Sequence, residues 1–88
     1  MYSIPNPVYS TLQVARASGA PTFSSPYGHY NVINMMGNVV ASGSINLNAS
    51  SFSVNLSSKP AGIYVIYIYR DSPTTILQTH TFTLSVPL

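Results

Sequence analysis

Apolar and polar residues alternate with period two along most of this chain, in short runs broken by clusters of Gly, Pro, Asn and Ser. Such alternation predicts β-strands with one face buried, and no stretch carries the i, i+3, i+4 spacing of a helix. One run differs. Ile63-Tyr64-Val65-Ile66-Tyr67-Ile68-Tyr69 presents β-branched and aromatic side chains on both faces, which suits a strand in the middle of a sheet or between two layers. It follows a tight turn at Lys59-Pro60-Ala61-Gly62, where proline fixes φ and Gly62 is free to take a backbone conformation closed to other residues.

The remaining elements follow from the same pattern. Residues 1–8 form a Pro-rich lead-in, in which Pro5 and Pro7 keep the chain outside any central strand. Tyr9 to Ala15 is predicted as the first strand, with Leu12 and Val14 inward. Ala17 to Gly28 is a long connection with a short edge strand around Phe23, and His29, just after Gly28, faces solvent in a loop. His29 to Met35 and Asn38 to Ser42 form a hairpin around Asn34-Met35-Met36-Gly37, with Gly37 at the position that needs positive φ. Tyr30, Val32 and Val40 then face the core. Ser51 to Leu56 places Phe52, Val54 and Leu56 on one face.

Ile63 to Arg70 is the central strand. In immunoglobulin domains a Gly-x-Tyr entry to a core strand points its Tyr inward. By that analogy Tyr64, Ile66 and Ile68 face the core, and Tyr67 and Tyr69 look outward or onto a neighbouring domain. A turn at Arg70-Asp71-Ser72-Pro73-Thr74 leads to a final strand, Thr75 to Val86. There Ile76, Gln78, His80, Phe82, Leu84 and Val86 share the inner face, and Leu77, Thr79, Thr81, Thr83 and Ser85 share the solvent face. Six to seven strands at this spacing predict an all-β, immunoglobulin-like antiparallel β-sandwich.

Composition narrows the function. The 88 residues make a single domain of 1–88, and with 45% of them apolar a core is available without staples. There is no cysteine, hence no disulfide frame and no thiolate metal site. Only Arg16, Lys59, Arg70 and Asp71 are charged, 5% of the chain against roughly 25% in an average domain. Ser, Thr and Asn must therefore coat the surface, and weak self-association is expected. Three scattered cations are no footprint for nucleic acid. No window reaches the ~18 apolar residues of a membrane helix, and the N-terminus lacks a signal-peptide pattern. Met1 reads as an added start on a segment of a longer protein.

Catalysis is not expected. Asp71 is the sole carboxylate side chain, so no acid/base pair of carboxyl groups can form. A Ser-His-Asp set could be assembled on paper from His29 or His80, but Asp71 sits in a Pro-bounded turn and reads as a cap of its own backbone. No serine occupies a nucleophile-elbow sequence. Two histidines without further ligands do not make a zinc set, and His80 reads as a histidine at the core edge with one satisfied nitrogen. No catalytic, cofactor-binding or metal-binding residue is assigned. The seven tyrosines could form a stacking platform for sugar rings, or reflect the preference of strands for tyrosine. Asn48-Ala49-Ser50 and Asn55-Leu56-Ser57 match the glycosylation sequon, which decides nothing in a chain so rich in Asn and Ser.

The order of the landmarks carries a resemblance. Pro5-Asn6-Pro7-Val8 precedes a short strand, Thr11-Leu12-Gln13-Val14. Then come Val32-Ile33-Asn34-Met35-Met36-Gly37-Asn38-Val39-Val40, Phe52-Ser53-Val54-Asn55-Leu56-Ser57, Pro60-Ala61-Gly62-Ile63-Tyr64, and a closing strand from Leu77 to Leu84. From Ile4 to about Leu84 this resembles the type A C-terminal sorting domain of the type IX secretion system. That family shows a Tyr-Pro-Asn-Pro start, a Tyr-Asp-x-x-Gly-Lys hairpin and a Leu-Pro-Ala-Gly-(Ile/Val)-Tyr approach to its central strand. Here Ile4 replaces the aromatic residue, Asn38 follows the hairpin glycine, Lys59 precedes Pro-Ala-Gly, and the chain closes without a cation.

The resemblance implies a non-catalytic secretion and sorting signal at the C-terminus of an upstream cargo protein. Its implied partners are an outer-membrane translocon and a sortase-like peptidase, and its implied destination is the cell surface or medium of a Gram-negative bacterium. The residues it marks are Pro5, Asn6, Pro7, Gly37, Pro60, Ala61, Gly62 and Tyr64. The polar face of the last strand, Thr79, Thr81 and Thr83, is the candidate receptor contact. Two other readings fit the same pattern: an extracellular Ig-like binding or spacer module, with sugar held by exposed tyrosines, and a subunit of a surface fibre.

Overall fold

The structure, a computed structural model, describes residues 2–5, 7–20, 22–71 and 74–85. Asn6 of the Pro-Asn-Pro motif, Ser72 and Pro73 of the last turn, and Val86 lie outside the described residues, as does the side chain of Asp71. Among the described residues seven strands form: β1 (Tyr2–Ser3), β2 (Thr11–Arg16), β3 (Tyr27–Asn34), β4 (Val39–Asn46), β5 (Ser51–Asn55), β6 (Gly62–Asp71) and β7 (Thr74–Leu84). They make two antiparallel sheets, one ordered β1-β2-β5 and the other β4-β3-β6-β7. The fourth strand stays beside the third, unlike the constant-type immunoglobulin arrangement, in which it lies beside the fifth.

The inward residues of both sheets fill one core. Leu12, Val14 and Val54 come from the three-stranded sheet, and Val32, Ile66, Ile68 and Phe82 from the other. The run apolar on both faces is β6, hydrogen-bonded between β3 and β7. Its inward residues Tyr64, Ile66 and Ile68 are buried and its outward Tyr67 and Tyr69 are half-buried. Tyr30 stacks on Phe52 across the layers at 5.5 Å. Opposite it stands Gly43, where a Cβ would lie 2.8 Å from the Tyr30 ring.

Asparagines punctuate the strands. Asn34, Asn46 and Asn55 each end a strand, and each Oδ1 accepts the backbone N–H two residues on, at 3.0, 2.8 and 3.0 Å. This local bond offers the backbone an alternative to the ladder and turns the chain away. In the β3–β4 hairpin Asn34 Oδ1 also accepts from Asn38 N, and Gly37 takes the expected positive φ, 85°.

Four expectations change. The first strand is not Tyr9–Ala15: Tyr2–Ser3 pairs ahead of it with Arg16 and Ala15. Among the described residues no strand forms around Phe23. Instead the Asn48 side chain accepts from Phe23 N at 2.8 Å and donates to Phe23 O at 2.9 Å, so one amide stands in for a ladder. His29 belongs to β3 rather than to a solvent loop, half-buried and stacked on Tyr69 at 5.4 Å. The last strand carries a bulge: Ile68 pairs with Gln78 but Tyr69 with Ile76, leaving Leu77 over. The bulge reverses the faces at that end. Ile76 points outward and is 59% exposed, while Leu77 packs against the core.

Candidate recognition surface

The landmark residues converge on one end of the four-stranded sheet. β6 begins there with Gly62 opposite Leu84, the last residue of β7. Val8 lies beside Leu84 in a parallel bridge, its N–H donating to Thr83 O at 2.8 Å and its carbonyl accepting from Ser85 N at 2.7 Å. Tyr2 belongs to the three-stranded sheet, so the segment through Pro5 and Pro7 carries the chain from one sheet to the other. Proline suits such a crossing because it has no N–H to leave unpaired. Two rungs in from the Gly62–Leu84 pair, Asn34, Tyr64 and Phe82 lie side by side, with the Tyr64 and Phe82 rings stacked at 5.9 Å.

The hairpin turn closes over the same end. Asn34, Met35 and Met36 and the segment from Pro60 to Tyr64 line a shallow groove of about 230 Å³. Met35 and Met36 are 70% and 85% exposed. Beneath the groove the Tyr64 hydroxyl donates to Pro60 O at 2.6 Å, while its ring is buried in the core. A tyrosine at the start of a strand, bonded back to backbone a few residues upstream, has the form of the tyrosine corner of immunoglobulin sandwiches. Gly62 stands at φ 158°, at the border of extended backbone.

Thr79, Thr81 and Thr83 pair with Tyr67, Val65 and Ile63 and are exposed on the outer face. The row begins at the groove, since Ile63 lines it, and runs away from it along β7. Gly37, Pro60, Ala61, Gly62 and Tyr64 are therefore gathered in one place, Pro7 adjoins them through Val8, and the threonines extend outward.

Sequence reasoning missed what ties down the N-terminal strand. Gln78 Oε1 accepts from Tyr2 N at 2.8 Å and Gln78 Nε2 donates to Tyr2 O at 2.8 Å. His80 Nε2 lies 2.6 Å from Gln78 Nε2 and 3.1 Å from Tyr2 O. The signal was two polar residues in the inward register of a strand, which must find partners if they are buried. The Tyr2 hydroxyl donates to Leu47 O at 3.0 Å. Burial pushes its pKa above the usual 10.0, and the Arg16 guanidinium draws it partly back.

Among the described residues no group of three His, Cys, Asp or Glu gathers that could hold a metal. The surface offers hydroxyls, amides and aromatic edges, which suit recognition by contact rather than proton transfer.

Comparison with known families matches residues 3–79 to the secretion system C-terminal sorting domain. No curated protein matches the chain. The matched span takes in the Pro-Asn-Pro segment, the hairpin and the Pro60–Tyr64 turn, and it ends at Thr79, short of Thr81 and Thr83. With most of its length matched and its landmarks assembled at one end of a β-sandwich, the chain belongs to the secretion system C-terminal sorting domain family, whose members are sorting signals for type IX secretion.

Proposed function

We propose that this domain carries an upstream cargo protein across the outer membrane of a Gram-negative bacterium as a folded signal. An outer-membrane translocon reads it, and a sortase-like peptidase removes it as the cargo is attached at the surface. The family match over residues 3–79 carries this reading. The convergence of Pro7, Gly37 and the Pro60–Tyr64 turn on one end of the sheet supports it, because a receptor can then meet all three at once.

In this reading Pro5, Pro7, Gly37, Pro60, Ala61, Gly62 and Tyr64 hold the shape of that end. Thr79, Thr81 and Thr83 are the contact. Their side chains are exposed, and a hydroxyl both donates and accepts, which lets a row of them meet an incoming strand or side chain. The test exchanges all three for lysine in a secreted reporter fusion. The variant keeps the fold by circular dichroism and loses export. Export at the unmodified level would remove the threonine row from the recognition surface.

A further inference from the structure

The two outer faces of the sandwich differ in kind. On the three-stranded sheet the outward residues are polar or small, such as Thr11, Gln13, Ser51 and Ser53. An antiparallel sheet with one face in water is expected to look like that. The four-stranded sheet breaks the rule. Successive rungs across its outer face read Ser44–His29–Tyr69–Ile76, Ser42–Asn31–Tyr67–Thr79 and Val39–Ile33–Val65–Thr81. Of the two central strands, β6 presents Tyr69, Tyr67 and Val65 as an apolar and aromatic stripe and β3 sets His29, Asn31 and Ile33 beside it, while Val39 and Ile76 on the flanking strands are 55% and 59% exposed. A depression of about 450 Å³ opens between Asn31, Tyr67, Tyr69 and Ile76. No Lys, Arg, Asp or Glu stands on these rungs.

We propose that this face packs against the same face of a second copy, stacking two four-stranded sheets across a two-fold axis. Such an interface is isologous, so groups near the axis meet their own equivalents. A charged row there would repel itself. Here the stripe is flanked by hydroxyls, Ser42 and Ser44 on one side and Thr79 and Thr81 on the other, and each can donate or accept whatever it meets. Absence of charge and self-complementary hydroxyls favour a second copy over a charged partner.

Area sets the strength. Four strands about 4.8 Å apart and eight residues long at about 3.3 Å per residue cover roughly 500 Å² in projection. A standard interface buries about 800 Å² of accessible surface per partner. The dimer therefore sits at the weak end of specific association, forming and dissociating with concentration.

Sedimentation equilibrium of the 88-residue chain tests this. The expected result is a mass near 9.5 kDa in dilute solution that rises toward twice that value as concentration increases. Tyr67→Lys and Thr79→Lys, the latter at an exposed position, each checked for folding by circular dichroism, weaken association by about tenfold or more through like-charge contact. Ser53→Lys adds the same charge on the opposite face and leaves association unchanged. A monomer at all concentrations up to about 1 mM would overturn the proposal. So would association that both face variants leave intact, or that Ser53→Lys weakens equally.

Discussion

Tyr64 joins two tasks at one residue. Its ring fills the core beside Phe82, and its hydroxyl fixes the turn that delivers the chain into the central strand. Tyr64→Phe keeps the ring and leaves Pro60 O without that donor. We expect a loss of about 1 kcal/mol, seen in urea denaturation as a lower midpoint with an unchanged slope. Tyr2 supplies a pH dependence. Its folded pKa is raised above 10.0 by burial, so the folded state holds the phenolic proton more tightly than the unfolded chain does. That contribution to stability is complete below about pH 10. It is lost as pH rises through the folded pKa. Thermal melts of the natural chain should fall in alkaline solution more steeply than those of Tyr2→Phe. The asparagines show where reading at this scale stops. Asn34 marked the hairpin turn and the rest suggested a polar coat, but Asn46 and Asn55 also end strands and Asn48 holds Phe23, which depends on neighbours two or twenty-five residues away.

Elements with a long, clean period were legible. β5 puts inward the residues that its alternation marks, β6 follows the analogy with the Gly-x-Tyr entry of immunoglobulin strands, and the hairpin turns where Asn34 and Gly37 place it. What failed were elements whose pairing is tertiary. Two residues, Tyr2 and Ser3, are too few to show a period, and they form a strand because β2 and the Gln78 side chain supply partners. β7 alternates from Thr81 to Leu84 but sets two apolar residues, Ile76 and Leu77, side by side, and there one extra residue at Leu77 reverses the faces. Landmark order named the residues of the candidate surface, but the parallel bridge from Val8 to Leu84 that brings Pro7 beside the others is foretold by no spacing. The Gln78 clamp makes a prediction of its own. Gln78→Ala removes both bonds to the Tyr2 backbone, and amide exchange at Tyr2 should accelerate at least about tenfold while the core strands stay protected.

At the scale of the whole molecule, a sandwich with few charges and a core drawn from both sheets presents two surfaces that share the threonine row of β7. One is the end where the family landmarks meet, and the other is the outer face of the four-stranded sheet. A signal read as a folded object needs a stable frame more than it needs chemistry. On this view Ile66, fully buried at the centre of β6, matters to export as much as any exposed residue. An aspartate there would place an unpaired charge in the core and unfold the domain. The decisive measurement fuses the chain behind a signal peptide and a fluorescent reporter in a bacterium with the type IX machinery. The account predicts reporter at the cell surface or in the medium for the natural sequence, and reporter held in the periplasm for Ile66→Asp. Reporter trapped with the natural sequence folded, or exported equally well with Ile66→Asp, would contradict it.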